Sequence, residues 1–172
     1  MVIFITAILL GNCSSQNRMM NTKTIQKLDL ERYFGTWYEI ARYDHRFERG
    51  LQGVTATYSM RDDGKIKVVN RGYKNSLDGT LDVATGKAKL TDEPGKLKVS
   101  FFWIFYGDYY ILELDNDYQW VLIGSSSPKY LWILSRTPKL DEPVKNRILE
   151  LARERGYDTS KLIWVEQKPM SN

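Results

Sequence analysis

The chain has 172 residues, 25 Lys and Arg against 21 Asp and Glu, a net charge of +4 and one histidine. That length suits one domain with a sizeable core, and a composition 42% hydrophobic and 27% charged excludes both a disordered chain and a polytopic membrane protein. Basic and acidic residues alternate, as in Arg42-Tyr43-Asp44-His45-Arg46-Phe47-Glu48-Arg49, so no basic stripe favours a nucleic-acid partner.

An apolar run from Val2 to Leu10 comes first. It is too short to cross a bilayer of about 30 Å as a helix, but it suits the apolar region of a signal peptide. Cys13, the only cysteine, follows closely, which excludes an intrachain disulfide and a cysteine metal site. Leu10-Gly11-Asn12-Cys13 resembles the lipobox of bacterial lipoproteins, with Asn12 where Gly or Ala is usual. The resemblance implies a signal peptide over residues 1–12, an acylated Cys13 and a tether through residue 29. Translation from Met19 or Met20 is the competing reading, and it gives a cytoplasmic protein.

Val, Ile, Tyr, Phe and Thr then recur in short runs separated by turn residues, the pattern of β-strands. Strands are predicted over 35–43, 53–60, 65–73, 79–90 with a kink at Thr85-Gly86, 96–102, 107–114, 118–125 and 130–136. Asp62-Asp63-Gly64 is a hairpin turn between the second and third. Period-two alternation gives one dry and one wet face: Val54, Ala56, Tyr58 and Met60 oppose Thr55, Thr57 and Ser59. The eighth strand is apolar on both faces, Trp132 and Leu134 against Leu131 and Ile133, so something must cover its outside. A helix over 143–155 is the predicted cover. Asp141 stands at its N-cap, Gly156 follows its end, and Val144, Ile148, Leu151 and Ala152 form an apolar stripe. Leu162-Ile163-Trp164-Val165 reads as a last short strand beside the first. The fold class is all-β, an eight-stranded antiparallel up-and-down barrel with a C-terminal α-helix packed outside.

Gly35 and Trp37 in Gly-x-Trp, Asp115 and Tyr118 before the seventh strand, and Arg136 after the eighth resemble the three short motif regions of the lipocalins. Ile40-Ala41-Arg42, Val54-Thr55-Ala56-Thr57-Tyr58 and Trp132-Ile133-Leu134-Ser135-Arg136-Thr137-Pro138 resemble the bacterial branch, which is similar to apolipoprotein D and the plant temperature-induced lipocalins. The likeness covers residues 30–167 and leaves 168–172 as a tail. Tracing strands that reverse in turn brings all three motif regions to one closed end, where the resemblance implies a contact between Trp37 and Arg136. These two are expected to be structural. Phe47, Trp103, Phe105, Tyr106 and Tyr130 are expected at the open mouth.

The expected ligand contacts are Ala56, Tyr58, Val68, Asn70, Phe101, Tyr106, Tyr110 and Trp132; Tyr106 and Trp132 match cavity positions of the bacterial branch. The resemblance implies fatty acids or lysophospholipids as cargo, an outer-membrane location facing the periplasm, and a role in membrane maintenance under stress. It leaves a homodimer open. His45, Arg46 and Arg49 are read either as a solvated loop paired with Asp44 and Glu48 or as an anionic head-group site. Catalysis is not expected, because the single cysteine lies outside the barrel and His45 has no Gly-x-Ser-x-Gly partner. Without a GxGxxG or Walker sequence no cofactor is implied. A pigment ligand (haem, a bilin or a retinoid), a lipid-modifying enzyme, and a barrel filled by side chains that serves protein contacts are the remaining alternatives.

Overall fold

Nine strands form among the residues described by the computed structural model, which are 20–102 and 104–169. Cys13, the proposed signal peptide and Trp103 lie outside them. The strands are β1 (Gly35–Tyr43), β2 (Leu51–Met60), β3 (Ile66–Lys74), β4 (Leu81–Leu90), β5 (Lys96–Phe102), β6 (Phe105–Leu114), β7 (Trp120–Gly124), β8 (Leu131–Ser135) and β9 (Leu162–Trp164). Helix α1 (Leu30–Tyr33) precedes the barrel and α2 (Glu142–Glu154) follows it. The short α1, with Asp29 accepting from the Arg32 amide at 3.3 Å, was not anticipated.

Each of β1 to β7 pairs antiparallel with the next, and β1 closes the barrel by pairing with both β2 and β8. Gly35 to Tyr38 face β2, while Tyr38 to Arg42 face β8 across a bulge between Glu39 and Ala41. β2 leaves the edge of β1 after Tyr38, and β9 takes its place beside Ala41 to Tyr43. Gly35 and the turns after β2, β4 and β6 therefore share the closed end, and the β1–β2, β3–β4, β5–β6 and β7–β8 connections share the mouth.

Two apolar cores result, one on each side of the wall. Trp37, Tyr58, Ile66, Val68, Leu97, Ile111, Val121, Ile123 and Leu134 pack inside, together with Tyr33 of α1. Ile40, Leu112, Leu122, Leu131 and Ile133 pack outside against Ile148, Leu149 and Ala152 of α2. Neighbours such as Ile111 and Leu112 thus enter different cores, because successive strand side chains point to opposite faces. The stripe on α2 is rotated from the expected one: Leu149 is buried and Leu151 is half-buried. Asp141 occupies the N-cap position but its side chain makes no capping bond; Pro143 in the first turn, which has no amide hydrogen to satisfy, reduces the need for one.

Residues 21–29 do not hang free. The Asn21 amide donates to the Arg155 carbonyl at 3.0 Å, the Ile25 amide to the Ile111 carbonyl at 3.1 Å, and Thr24 Oγ1 to the Pro94 carbonyl at 2.7 Å. Arg155 reinforces this seam, donating to the Lys23 and Leu112 carbonyls at 2.7 Å each. β4 pairs with β3 through Thr85 and Gly86 without a register shift, so the glycine expected to mark a kink there serves a close approach instead. A Cβ on Gly86 would lie 2.6 Å from the Ser100 carbonyl oxygen and 2.7 Å from the Phe101 ring, so only glycine permits that approach.

Candidate ligand-binding site

The closed end is sealed by Trp37 and Arg136. The guanidinium lies 3.7 Å from the Trp37 ring centre, and Trp37 is fully buried. Arg136 also donates to the carbonyls of Arg32 (2.7 Å), Thr36 (3.0 Å), Tyr33 (3.2 Å) and Tyr118 (3.3 Å). Gly35 is favoured here by its backbone, whose φ of +93° suits glycine; a Cβ there would make only ordinary contact, at 3.5 Å, with Arg136 Nη1. Asp115 Oδ2 caps the β6–β7 turn by accepting from the Asp117 and Gln119 amides at 3.0 and 3.1 Å. Tyr118, with φ +59°, accepts from the Asp29 amide at 2.9 Å and carries Arg32 over its ring at 4.3 Å. All three motif regions meet here.

Above the seal lies a chain of phenols. Tyr109 bonds to Tyr33 at 2.7 Å and to Tyr58 at 2.9 Å. Burial raises the pKa of all three, so they stay neutral hydroxyls. Ala56, Val68 and Ala88 line the wall beside them. Higher up, Asn70 is half-buried and its carboxamide oxygen is buried without a donor. Phe101 packs on Gly86 but remains 41% exposed toward the mouth. Trp132 reaches the inner core from β8 and is half-buried.

Two expected contacts face the other way. Tyr110 packs against the outer core, with Lys96 Nζ 5.3 Å from its ring, and Tyr109 is the inward member of the pair. Tyr106 lies outside across β4, with Lys89 Nζ and Lys87 Nζ at 4.8 and 5.9 Å from its ring centre. β6 begins at Phe105, so Tyr106 is a strand residue and not part of the loop, and its parity matches outward Tyr110. On β6 both faces are apolar, so alternation alone does not distinguish them.

The upper interior also holds a charged cluster that sequence reasoning did not assemble. Glu39 and Arg42 are 3% and 2% exposed, and Arg42 Nη1 donates to Glu39 Oε1 at 2.7 Å. Arg42 Nη2 donates to the Glu48 carbonyl at 2.7 Å and the Leu51 carbonyl at 3.1 Å, holding the β1–β2 loop across the mouth. Glu48 Oε2 accepts from Trp132 Nε1 at 3.0 Å and lies 3.0 Å from His45 Nε2. His45 is therefore buried, not solvated, among Trp132 (5.1 Å), Tyr130 (5.7 Å) and Phe47 (6.0 Å), while Arg49 pairs with Asp44 in solvent at 2.8 Å.

Burial and the nearby Glu48 charge raise the Glu39 pKa well above the carboxylate range despite Arg42. Burial also acts upward on Glu48, but His45, Trp132 and Arg42 outweigh it and hold its pKa low. Burial thus favours the protonated form of Glu39, and the cations and donors around Glu48 favour its charged form. Glu39 was legible, because it follows Trp37 by two and simple alternation aims it inward. Arg42 was not, because its inward aim depends on the bulge in β1. Among the described residues no group of His, Cys, Asp and Glu is placed to hold a metal.

Comparison with known proteins agrees with this geometry. The lipocalin-like domain family matches residues 28–167. The chain is 49% identical over 163 residues to outer membrane lipoprotein Blc of Escherichia coli K12, covering 94% of this chain and 92% of that protein. Temperature-induced lipocalin-1 of Arabidopsis thaliana is 40% identical over 148 residues, covering 81% and 80%. Among solved structures, insecticyanin from Manduca sexta superposes with a TM-score of 0.71 at 19% identity, covering 86% of this chain and 85% of that one, which speaks to the fold alone. With the match spanning nearly all the described residues and the barrel sealed at one end, this chain belongs to the lipocalin family, a binding protein for hydrophobic ligands and not an enzyme.

Proposed function

We propose that this lipocalin is anchored to the bacterial outer membrane through acylated Cys13 and there binds fatty acids or lysophospholipids, storing or carrying them for membrane maintenance under stress. The observation that carries the reading is the one-ended interior. It is sealed by Trp37 and Arg136, apolar along its wall, and provided near the mouth with an unpaired acceptor on Asn70 and a hydrogen-bonded indole on Trp132. Such a lining suits an amphiphile with its chain inside and its head group at the opening. Burying roughly 16 carbons at about 0.8 kcal/mol per methylene gives about 12 kcal/mol, against association costs of about 4–15 kcal/mol. Ala56, Tyr58, Val68, Asn70, Phe101 and Trp132 are the proposed contacts.

The anchor is supported by the lipobox-like Leu10-Gly11-Asn12-Cys13 and by likeness to proteins named outer membrane lipoprotein. A match covering 94% of the chain leaves too few residues over to exclude Cys13. No described helix is long and apolar enough to cross a membrane. Mass spectrometry of lipids that co-purify with the wild type and with Trp132→Ala tests the cargo. A stoichiometric fatty acid or lysophospholipid, depleted in the variant, is expected; no bound lipid and no uptake of added lysophospholipid would defeat the reading. Metabolic labelling with an alkyne fatty acid tests the anchor, which requires label that disappears in Cys13→Ala.

A further inference from the structure

The positive charge of this protein is gathered on one part of the barrel wall. β3, β4 and β5, neighbours in the sheet, carry seven of the 25 Lys and Arg but only one of the 21 Asp and Glu, Asp82. These strands are therefore net +6, and the rest of the +4 chain is net −2. Ile66, Val68, Ala88 and Leu97 enter the inner core, so alternation turns Lys67, Lys87, Lys89 and Lys98 outward. Lys67 lies directly opposite Lys87, and Lys89 directly opposite Lys98, which sets four ammonium groups in one block. No single segment shows this block; strand pairing assembles it. Like charges facing each other across strands are destabilising. Asp108 answers Lys98, and the Tyr106 ring, 4.8 Å from Lys89 Nζ and 5.9 Å from Lys87 Nζ, offsets the other repulsion only in part. Among the described residues Lys67, Lys87 and Lys89 have no carboxylate within ion-pair distance. A block of this kind is strained in water and relieved against an anionic surface.

The rest of the chain favours a bilayer as that surface. Helix α2 packs over β1 and β6 to β8 and leaves the β3–β5 wall bare on the other side of the barrel. The Arg155 guanidinium donates to the Asn21 carbonyl at 3.1 Å and to the Leu112 carbonyl at 2.7 Å, so the chain joins the wall at β6, the strand next to β5. Cys13 lies eight residues before Asn21, a span of at most about 28 Å. On the anchored reading, that tether keeps the wall within reach of the phospholipid phosphates. Each lysine near such a surface strengthens binding about fivefold, an effect that falls away beyond a Debye length of about 10 Å. A nucleic acid is the weaker occupant, because Tyr106 is half-buried under Lys87 and Lys89 and offers no open face on which a base could stack.

We propose that the outward wall of β3–β5 is an electrostatic docking surface for anionic phospholipid head groups, which lays the tethered barrel on its side along the bilayer. The proposal rests on the anchored reading for the tether alone. The test uses the full chain carrying Cys13→Ser, which takes the anchor out of the measurement, and vesicles free of lysophospholipid. The protein should co-sediment with vesicles of phosphatidylethanolamine and phosphatidylglycerol, far less with phosphatidylcholine alone, and should detach as salt rises from about 0.05 to about 0.5 M. Lys67→Gln, Lys87→Gln and Lys89→Gln together should weaken binding to the anionic vesicles roughly tenfold or more. Because the triple relieves lysine repulsion, it should melt no lower than the wild type, so lost binding is not lost fold. Lys27→Gln, Lys129→Gln and Lys139→Gln remove the same charge from exposed positions elsewhere and should weaken binding less than about threefold. Equal losses in the two triples would mark net charge alone and overturn the proposal, as would equal binding to both kinds of vesicle or binding to neither. A fluorophore at Thr85→Cys, on the outward face of β4, should be quenched by head-group nitroxides, and one at Asn146→Cys on α2 should not; the reverse pattern overturns the orientation. Tighter binding to a duplex oligonucleotide than to the vesicles at one ionic strength also overturns it and assigns the wall to nucleic acid. Failure of the Cys13 label removes the tether, and failure of lysophospholipid uptake removes the cargo; neither changes the vesicle result, so the three readings fail separately.

Discussion

The two ends of this barrel each hold an arginine, half-buried Arg136 and buried Arg42, and they do so with opposite chemistry. At the closed end Arg136 meets only neutral acceptors, the Trp37 ring and a set of main-chain carbonyls. Below the mouth Arg42 meets Glu39 directly and lies close to the Glu48 carboxylate. The first arrangement contains nothing that titrates near neutrality, since the phenols around it are pushed upward by burial. The second contains two neighbouring carboxyls whose pKa values are pushed in opposite directions. The seal is therefore indifferent to pH and the mouth is not, which separates the part that holds the fold from the part that meets a ligand.

Removing Arg42 should have the largest effect. Arg42→Ala strands the Glu48 charge and frees the β1–β2 loop, and should destabilise the protein by about 4 kcal/mol in urea unfolding near neutral pH. The loss should shrink in acid, where the carboxyls it faces take up protons; a pH-independent loss would break the contrast between the two ends. Arg136→Ala should cost about 3 kcal/mol, through the lost cation–π contact and unpaired carbonyls, with no change across the same pH range.

A smaller effect is expected from Glu39→Gln. The raised pKa means the folded protein holds this proton more tightly than the unfolded chain does, so its stabilisation is present at low pH and fades as pH rises through the folded value. The amide should melt within about 1 kcal/mol of the wild type in mild acid and should lack the decline on the alkaline side. Parallel thermal melts over a pH series check it, and identical curves would show that Glu39 does not carry the proton. Glu48 has the opposite sign: its depressed pKa contributes stability above the unfolded value, lost as pH falls. Smallest of all, Asn70→Leu should change stability by less than about 1 kcal/mol, because it removes a buried acceptor that has no donor, yet it should weaken binding of a lysophospholipid more than of a plain alkane. Calorimetric titration of both ligands measures that difference.

Much of the barrel was legible because its strands alternate cleanly where one face is wet. β1 and β5 have the bounds read from their residues, and the cover over Leu131 and Ile133 is the predicted helix. The site was legible only in part. Ala56, Tyr58, Val68 and Trp132 point inward as their parity suggests, but β6 is apolar on both faces, and its start at Phe105 put Tyr106 in a strand instead of a loop. His45 looked like a rim residue because its neighbours Asp44, Arg46 and Arg49 are exposed; the loop folds it and Glu48 inward through bonds to Arg42.

The sequence by itself determined the all-β class, the order of the strands, the meeting of Gly35, Trp37, Asp115, Tyr118 and Arg136 at one end, and the family. These follow from period-two patterning, turn chemistry and short motifs, all of which are local. Only the tertiary structure decided which of two apolar faces is the inside of β6, how the bulge in β1 turns Arg42 toward Glu39, and that a buried carboxyl pair sits beneath the mouth. Those depend on register and closure: a shift of one residue in a strand reverses its faces, and nothing within the strand records which face its neighbours will enclose.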